Sequence, residues 1–205
     1  VRPRAVVRRA TAGVARHLLA TVPDAARRGV VLARDARRGS DSFALETAGI
    51  LAGHGIRVFF CVGRAPPPLG AFAVKELGAA AGVVVTASHN PPEYNGYKVY
   101  WSDGAQLPPH KAEAIAKQME AIDIFTGFKT CDFDEAVAEG KIEIIGQETD
   151  ELFLENVMTQ AIDKDVVKEV ADDLRIVYTP FHGCGYKLVP EALRRLGIKH
   201  LYPVE

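Results

Sequence analysis

The residues best suited to chemistry lie in one short segment, Gly82–Tyr100, which reads GVVVTASHNPPEYNGYKVY. Ser88 offers a hydroxyl that can act as a nucleophile or carry a phosphoryl group, and Thr86, His89 and Asn90 place further polar groups around it. An apolar run leads into this segment and a second strand-like run leaves it. Because α/β proteins place reactive groups on loops at strand ends, we predict that residues 87–96 form a functional loop.

The sequence of this loop makes it stiff. Pro91–Pro92 have no backbone N–H and a fixed φ angle, and they push the residues before them toward extended geometry. Asn95–Gly96 is a strong turn signal that returns the chain to the next strand. We therefore expect Ser88 on a short, stiff excursion with Lys98 just past the turn, although the sequence leaves open which face of its strand Lys98 uses.

Two other interpretations of Ser88 follow from the residues. A serine hydrolase is disfavoured, because the side chains of adjacent residues such as Ser88 and His89 usually diverge and no G-x-S-x-G elbow surrounds the serine. A polar surface loop without chemistry is compatible with the residues alone, and it stays open on that basis.

Apolar periodicity predicts alternating strands and helices around this loop. Strands are expected at 30–33, 57–61, 82–86, 97–101, 141–145 and 174–178, and helices at 4–20, 40–53, 109–122, 149–161 and 189–196, with a further helix that follows the prolines 66–68 and ends at Leu77. This alternation predicts the α/β class, with a mixed, mostly parallel sheet sandwiched between helices. A charged stretch at 163–172 suggests a first domain at 1–165 and the incomplete opening of a second, similar domain at 172–205.

Composition limits the classes of partner. Hydrophobic residues make up 48% of the chain, charged residues 25%, and the net charge is −1, so neither nucleic acid nor a membrane surface is an expected partner. The three cysteines show no C-x-x-C pair, which favours reduced thiols in a cytoplasmic protein. No apolar run approaches the roughly 18 residues that a membrane span needs.

The N-terminal segment is rich in arginine and has no acid before Asp24. Its apolar spacing favours an amphipathic first helix over a transit segment. The first 64 residues contain no lysine, so two joined segments of different origin are an open alternative. Because the sequence begins with Val1, we expect a piece of a longer protein.

The run Thr86–Pro91, reading TASHNP, resembles the active-site serine motif of the α-D-phosphohexomutase superfamily, and the resemblance continues through Asn95–Lys98. Arg34–Ser40 is similar to the first strand-to-helix loop of that family, and Tyr178–Gly185 to the loop that opens its second domain. These two loops are closer to the branch with phosphoglucomutase and phosphopentomutase than to the phosphomannomutase branch.

The resemblance implies a phosphoserine mechanism. The family's serine gives its phosphoryl group to a hexose phosphate, and the resulting bisphosphate returns its other phosphate, so phosphate moves between C1 and C6. Ser88 would be the carrier, its phosphate would bind Mg²⁺, and glucose 1,6-bisphosphate would be the activator. Glucose 1-phosphate and glucose 6-phosphate are the expected substrates, with phosphomannomutase or phosphopentomutase activity as alternatives.

The same resemblance assigns supporting roles. Lys98 would assist proton transfer or stabilise the departing oxygen, and His89 would be a second catalytic residue that steadies the loop or the phosphate. The phosphate-binding candidates are Asn90, Thr86 and Arg37. For the arginine, pairing with neighbouring Asp35 is the alternative that the residues favour.

Several parts of the family pattern would lie outside this sequence. The Asp-Gly-Asp-x-Asp-Arg metal loop, the sugar-recognition loop and the C-terminal phosphate-binding domain belong to domains II–IV, beyond Glu205. The acidic cluster Asp132–Glu135 is expected to begin a helix rather than bind metal. We therefore expect this chain to be inactive alone, and a non-catalytic, truncated phosphosugar-binding module is the alternative.

Overall fold

The computed structural model describes residues 2–204. These residues form two compact units, of which the first ends at Ile145 and the second begins at Gly146. Each unit has its own sheet. Within the described range, no helix combines the length and the apolar character that a membrane crossing requires.

The first unit contains a five-stranded mixed sheet in the order β4-β3-β1-β2-β5. Its strands are β1 (Val30–Arg34), β2 (Val58–Cys61), β3 (Ala81–Val85), β4 (Tyr97–Trp101) and β5 (Ile142–Ile145). Every pairing is parallel except that of β3 with β4, which is antiparallel. The predicted mixed, mostly parallel sheet is therefore confirmed.

Helices cover both faces of this sheet. They are α1 (Arg2–Thr21), α2 (Ala25–Arg28), α3 (Ser40–Gly53), α4 (Pro67–Glu76), α5 (Pro109–Glu120) and α6 (Phe133–Ala138). Residues from α1, α3, α5 and α6 share one core cluster with alternate strand residues such as Leu32 and Val83. The intervening residues Ala33 and Val84 meet α4 at Gly70, on the opposite face. The central strands are therefore buried on both sides, which explains their continuous apolar runs.

Strand β4 shows which way its residues face. Tyr97, Val99 and Trp101 pack against the core cluster of α1, α3 and α5. Because successive side chains in a strand point to opposite faces, Lys98 and Tyr100 lie on the α4 face of the sheet. The structure thus answers the question about Lys98 that the sequence left open.

The outer edge of β4 is partly covered by the chain that follows it. The N–H of Leu107 donates to the carbonyl of Val99 at 2.8 Å, and the N–H of Trp101 donates to the carbonyl of Ala105 at 2.9 Å. Tyr100 and Gln106 form an antiparallel bridge between these two bonds. The segment Ala105–Leu107 therefore takes the place of a neighbouring strand along the last part of β4.

The second unit contains α7 (Gln147–Thr159), α8 (Lys164–Val170), β6 (Arg175–Tyr178), α9 (Leu188–Arg195) and β7 (His200–Pro203). Strands β6 and β7 pair in parallel, with α9 as the connection between them. Helix α9 packs against α7, and Arg195 donates to Glu151 at 2.6 Å across that contact. The predicted strand–turn–helix unit is present, and β7 extends it beyond the prediction.

Helix α8 occupies the charged stretch that suggested a domain boundary. Asp163 caps this helix, since its carboxylate accepts the N–H groups of Asp165 at 3.0 Å and Val166 at 3.1 Å. The division between compact units falls before α7 because α7 packs against α9. It therefore does not coincide with the predicted ranges 1–165 and 172–205, whose meaning as family domains stays a prediction.

The acidic cluster behaves as predicted. Asp132 caps α6, and its carboxylate accepts the N–H groups of Asp134 at 2.9 Å and Glu135 at 3.1 Å. The short helix α2 has no counterpart in the prediction. Four residues carry too little apolar periodicity to indicate a helix.

A buried hydroxyl cluster links α1, α3 and β4. The hydroxyl of Tyr97 lies 3.1 Å from that of Thr11, which in turn lies 3.4 Å from that of Thr47. Burial of the phenol raises the pKa of Tyr97 to about 12, against the opposing effect of these hydrogen bonds. The folded state therefore holds the phenolic proton more tightly than the unfolded chain, in which tyrosine titrates near pH 10.

This cluster predicts a loss of stability in alkali. The contribution of the Tyr97 proton is complete below about pH 10 and disappears as the pH rises toward 12, by at most about 1.4 kcal/mol per pH unit. Tyr97→Phe should lose less stability over that interval than the wild type, as measured by urea unfolding at fixed pH. Tyr94→Phe is the control, because the Tyr94 side chain is exposed. Equal pH dependence in Tyr97→Phe and the wild type would contradict the assignment.

Candidate functional site

Ser88 lies in a tight turn directly after β3. The N–H of Asn90 donates to the carbonyl of Ala87 at 3.1 Å, which closes the turn around Ser88 and His89. Ser88 has a φ of 58°, in the left-handed region that residues other than glycine seldom occupy. Its side chain is exposed, as are those of His89 and Asn90. The structure thus presents these three predicted residues together to solvent.

Thr86 supports the turn from inside. The residue is only 3% exposed, and its hydroxyl accepts the N–H of Ser88 at 3.0 Å. Its own N–H donates to the carbonyl of Gly96 at 3.0 Å. A Cβ at Gly96 would lie 2.5 Å from the Thr86 carbonyl oxygen, so this close approach requires glycine. Thr86 therefore holds the base of the loop from a buried position, and its predicted contact with phosphate stays a prediction.

Arg37 organises the outer part of the loop. Its guanidinium donates to the carbonyl oxygens of Pro91 at 2.8 Å, Tyr94 at 3.0 Å, Ser88 at 2.8 Å and Asn90 at 2.6 Å. Its Nε lies 3.3 Å from Oδ2 of Asp35. A guanidinium has five N–H groups, and this arrangement occupies all of them. In this arrangement Arg37 has no N–H left for a phosphate, and the predicted alternative of pairing with Asp35 is observed. A role of Arg37 as a phosphate ligand stays a prediction.

The carboxylate of Asp35 fixes the arginine in turn. Oδ1 of Asp35 accepts the N–H of Arg37 at 2.9 Å and the hydroxyl of Ser40 at 2.7 Å. The side-chain amide of Asn95 donates to the hydroxyl of Ser40 at 2.9 Å. The loop after β1 and the serine loop after β3 are thus joined by side-chain hydrogen bonds at both ends.

His89 lies closer to Ser88 than the sequence suggested. Oγ of Ser88 and Nδ1 of His89 are 3.4 Å apart, so the expectation that the two side chains diverge is wrong. That distance is long for a hydrogen bond to a hydroxyl, and within residues 2–204 no carboxylate orients the imidazole. The pair therefore lacks the base-and-orienter geometry of a serine hydrolase.

Lys98 lies on the strand next to the turn. It pairs with Val84 in the antiparallel register of β3 and β4, near the end of β3 from which the serine loop departs. Among the described residues its ammonium group has neither an ion pair nor a hydrogen bond. Lys98 is therefore a cation that could serve a ligand on the α4 side of this sheet edge.

The sequence did not reveal Asp35, Ser40 and Asn95 as parts of the site. Asn95 was interpreted only as a turn residue, and the loop after β1 only as a separate motif. One signal was present, since Pro91–Pro92 remove two N–H donors and leave the loop with a surplus of carbonyl acceptors. Such a loop needs donors from elsewhere in the fold, and an arginine is the side chain with the most.

The described residues offer few ligands for a metal ion. Between residues 2 and 204, no group of three or more His, Cys, Asp or Glu side chains is placed to hold a metal ion. A phosphate on Ser88 would provide exposed oxygen ligands of the kind that Mg²⁺ prefers.

Comparison with known proteins agrees with this geometry. The family model described as phosphoglucomutase/phosphomannomutase, alpha/beta/alpha domain I, matches residues 3–124. A protein of Schizosaccharomyces pombe named as a phosphoribomutase is 40% identical, over 92% of this chain and 32% of its own length. A Staphylococcus saprophyticus phosphoglucomutase is 34% identical, over 93% of this chain and 33% of its own length.

Solved structures agree as well. A structure from Thermus thermophilus, described as a phosphomannomutase, is 28% identical, with a TM-score of 0.75 over 97% of this chain and 41% of that protein. The chain thus spans about a third of the length of the curated relatives it matches. With the family model matched over more than half of its residues and the serine loop in place, the chain belongs to the phosphoglucomutase/phosphomannomutase family, the α-D-phosphohexomutases.

Proposed function

We propose that this chain is the phosphoserine-bearing part of a mutase that interconverts glucose 1-phosphate and glucose 6-phosphate, with Ser88 as the phosphoryl carrier. The observation that carries the proposal is that Ser88 exposes its hydroxyl while its backbone has a positive φ. Hydrogen bonds with Arg37 and Thr86 hold it in that conformation. Strained backbone persists where surrounding structure over-determines it, and it concentrates at functional sites. Family membership supports the same reaction class.

The chemistry is a pair of phosphoryl transfers. In the first, the bond between phosphorus and Oγ of Ser88 breaks, a bond from phosphorus to the free sugar hydroxyl forms, and that hydroxyl loses its proton. In the second, the other phosphate of the bisphosphate returns to Oγ, and the sugar oxygen that it leaves takes up a proton. Such transfers need mainly positioning and charge stabilisation, for which we assign Lys98, a cation on the strand next to the serine loop.

The backbone after Ser88 offers a donor to the phosphate. The Ser88–His89 peptide bond is trans, so its C=O and N–H point in opposite directions. The carbonyl points at Arg37, and the N–H of His89 therefore points away from it. Among the described residues this N–H has no hydrogen-bond partner. We assign it, with the exposed side chains of His89 and Asn90, to the oxygens of the Ser88 phosphate.

The proposal extends to groups outside this chain. Mg²⁺, held partly by the Ser88 phosphate, would neutralise charge during the transfer. The other metal ligands, the sugar-recognition loop and the binding site of glucose 1,6-bisphosphate are assigned to domains II–IV. Cytoplasmic location belongs to the same proposal, and its basis is the spacing of the three cysteines, which show no C-x-x-C pair.

A pentose phosphate is the second candidate substrate. Its basis is the 40% identity to a relative named as a phosphoribomutase, which exceeds the 34% identity to a phosphoglucomutase. The serine loop does not separate the two substrates, because it would contact the phosphoryl group that both share. Relative rates with ribose 1-phosphate and glucose 1-phosphate decide between them.

The carrier role predicts labelling of one residue. A protein in which these residues are followed by domains II–IV should take up label from glucose 1,6-bisphosphate on Ser88, as shown by peptide mass mapping. Ser88→Ala should take up none, because the accepting oxygen is gone. Ser42→Ala is the control, since that exposed hydroxyl is bonded to the carbonyl of Gly39 outside the site. Undiminished labelling of Ser88→Ala would remove the carrier role.

The 205-residue chain alone is expected to show no mutase turnover in the presence of Mg²⁺ and glucose 1,6-bisphosphate. The physical reason is that the proposal assigns the other metal ligands and the sugar contacts to domains II–IV. A coupled assay that detects glucose 6-phosphate tests this directly. Turnover that Ser88→Ala abolishes would show that these residues already contain a complete site.

The strained backbone at Ser88 predicts that a substitution which relieves the strain increases the stability of the fold. A left-handed conformation costs a residue with a Cβ about 1–2 kcal/mol, whereas glycine loses more chain entropy on folding, which costs the folded state about 0.5–1 kcal/mol. Ser88→Gly should therefore stabilise the fold by roughly 0.5–1 kcal/mol. Ser88→Ala, which keeps Cβ, should not. Urea unfolding followed by the fluorescence of Trp101, the single tryptophan, measures both, and a gain in Ser88→Ala as large as in Ser88→Gly would refute the strain.

A further inference from the structure

We infer that Arg37 is the positioning residue of the serine loop: it holds Ser88 in its left-handed conformation and so determines how the phosphoryl carrier is presented. This inference rests on the proposed function for its catalytic meaning, but not for its structural content. Arg37 lies 51 residues before Ser88 in the chain and contacts the serine loop through four of its backbone carbonyls.

The serine loop has more hydrogen-bond acceptors than donors. Residues 88–94 contain two adjacent prolines, so this stretch is short of N–H groups and cannot order itself by a ladder of its own. Four of its carbonyls instead converge on one guanidinium, at 2.6–3.0 Å. Hydrogen bonds from a charged donor are roughly twice as strong as neutral ones. Arg37 therefore supplies most of the hydrogen bonding that fixes the outer loop.

The charges of Arg37 and Asp35 are largely buried. The Arg37 side chain is 13% exposed and the Asp35 side chain 10%. A charge this far from water is stable only when its hydrogen bonds are satisfied, which here requires the loop carbonyls to stay where they are. The loop and the arginine therefore hold each other, and a loop that relaxed would leave buried donors without partners.

Arg37 is coupled directly to the backbone of Ser88. Arg37 binds the carbonyl of Ser88, while Thr86 binds its N–H. The two peptide groups on either side of the Ser88 Cα are thus both fixed, and together they determine its φ and ψ. Relaxation of Ser88 from its φ of 58° would rotate the peptide group that follows it. That rotation would break the hydrogen bond from Arg37 to the Ser88 carbonyl, so the bond maintains the strained conformation.

Lysine cannot replace this arginine. An ammonium group has three N–H donors on a single nitrogen and lacks the planar fork that reaches four carbonyls and a carboxylate at once. Arg37→Lys therefore keeps the charge but releases part of the loop. Arg38 is the matched control, because its side chain is exposed and makes no hydrogen bond or ion pair among the described residues.

Hydrogen exchange tests the structural part on the 205-residue chain. In Arg37→Lys, the amides of Ser88, Asn90 and Tyr94, which are bonded inside the loop, should exchange at least about ten-fold faster than in the wild type. Arg38→Lys should leave them unchanged, and amides of α3 report whether each variant is folded. Unchanged loop exchange in a folded Arg37→Lys would overturn the inference. If that variant does not fold, Asp35→Asn is the second test, because it removes the carboxylate that pairs with the Arg37 guanidinium. Its loop amides must then exchange faster to the same extent, with the amides of α3 unchanged.

A double-mutant cycle tests the coupling between positions 37 and 88. Ser88→Gly should raise the urea midpoint in the wild-type background, and by less than half as much in the Arg37→Lys background, where Ser88 can relax. In the multidomain protein, Arg37→Lys should lower kcat roughly ten- to a hundred-fold with a smaller change in KM, because the misplaced serine still lies in an intact site. An equal gain in both backgrounds would refute the coupling while leaving the carrier role of Ser88 standing. Conversely, labelling of the multidomain protein at residues other than Ser88 would refute the carrier role of Ser88 and leave the coupling between Arg37 and Ser88 standing.

Discussion

One nearly buried guanidinium connects the parts of this site. Arg37 and Asp35 lie on the loop after β1, whereas the carbonyls they organise belong to the loop after β3. β1 and β3 are paired in parallel register from Val30 and Ala81 onward, so both loops leave the same edge of the sheet. The buried strands fix the positions of their carboxyl ends, from which both loops depart. The hydrogen bonds of Arg37 then fix the serine loop, which has no regular secondary structure, relative to these strand ends.

The division of labour within the loop follows from this arrangement. Inward-facing groups, above all Thr86 and the four carbonyls, are used for holding the loop. Outward-facing groups are Ser88, His89 and Asn90, whose side chains are exposed. Residue type alone does not distinguish the two roles, because a threonine hydroxyl and an arginine guanidinium can each bind a phosphate as well as a backbone group.

The sequence predicted the fold better than it predicted the site. Continuous apolar runs such as Val30–Ala33 identify strands buried on both faces, and proline and glycine mark the ends of most helices. The contacts of Arg37 with the serine loop could not be predicted, because hydrogen bonds between residues far apart in sequence depend on strand pairing, which single-sequence patterns do not encode. The orientation of Lys98 was undetermined for the same reason: it depends on which face of β4 packs against the core.

The short cover that Ala105–Leu107 forms over β4 has a consequence for the chain as it is synthesised. An exposed edge strand is a template onto which another chain can add, and nascent chains meet that hazard at high local concentration. Here the cover follows β4 within a few residues, so it can close soon after the strand itself has left the ribosome. The covered part of the edge would then be unprotected only briefly, which shortens the stretch through which neighbouring nascent chains on one message could join.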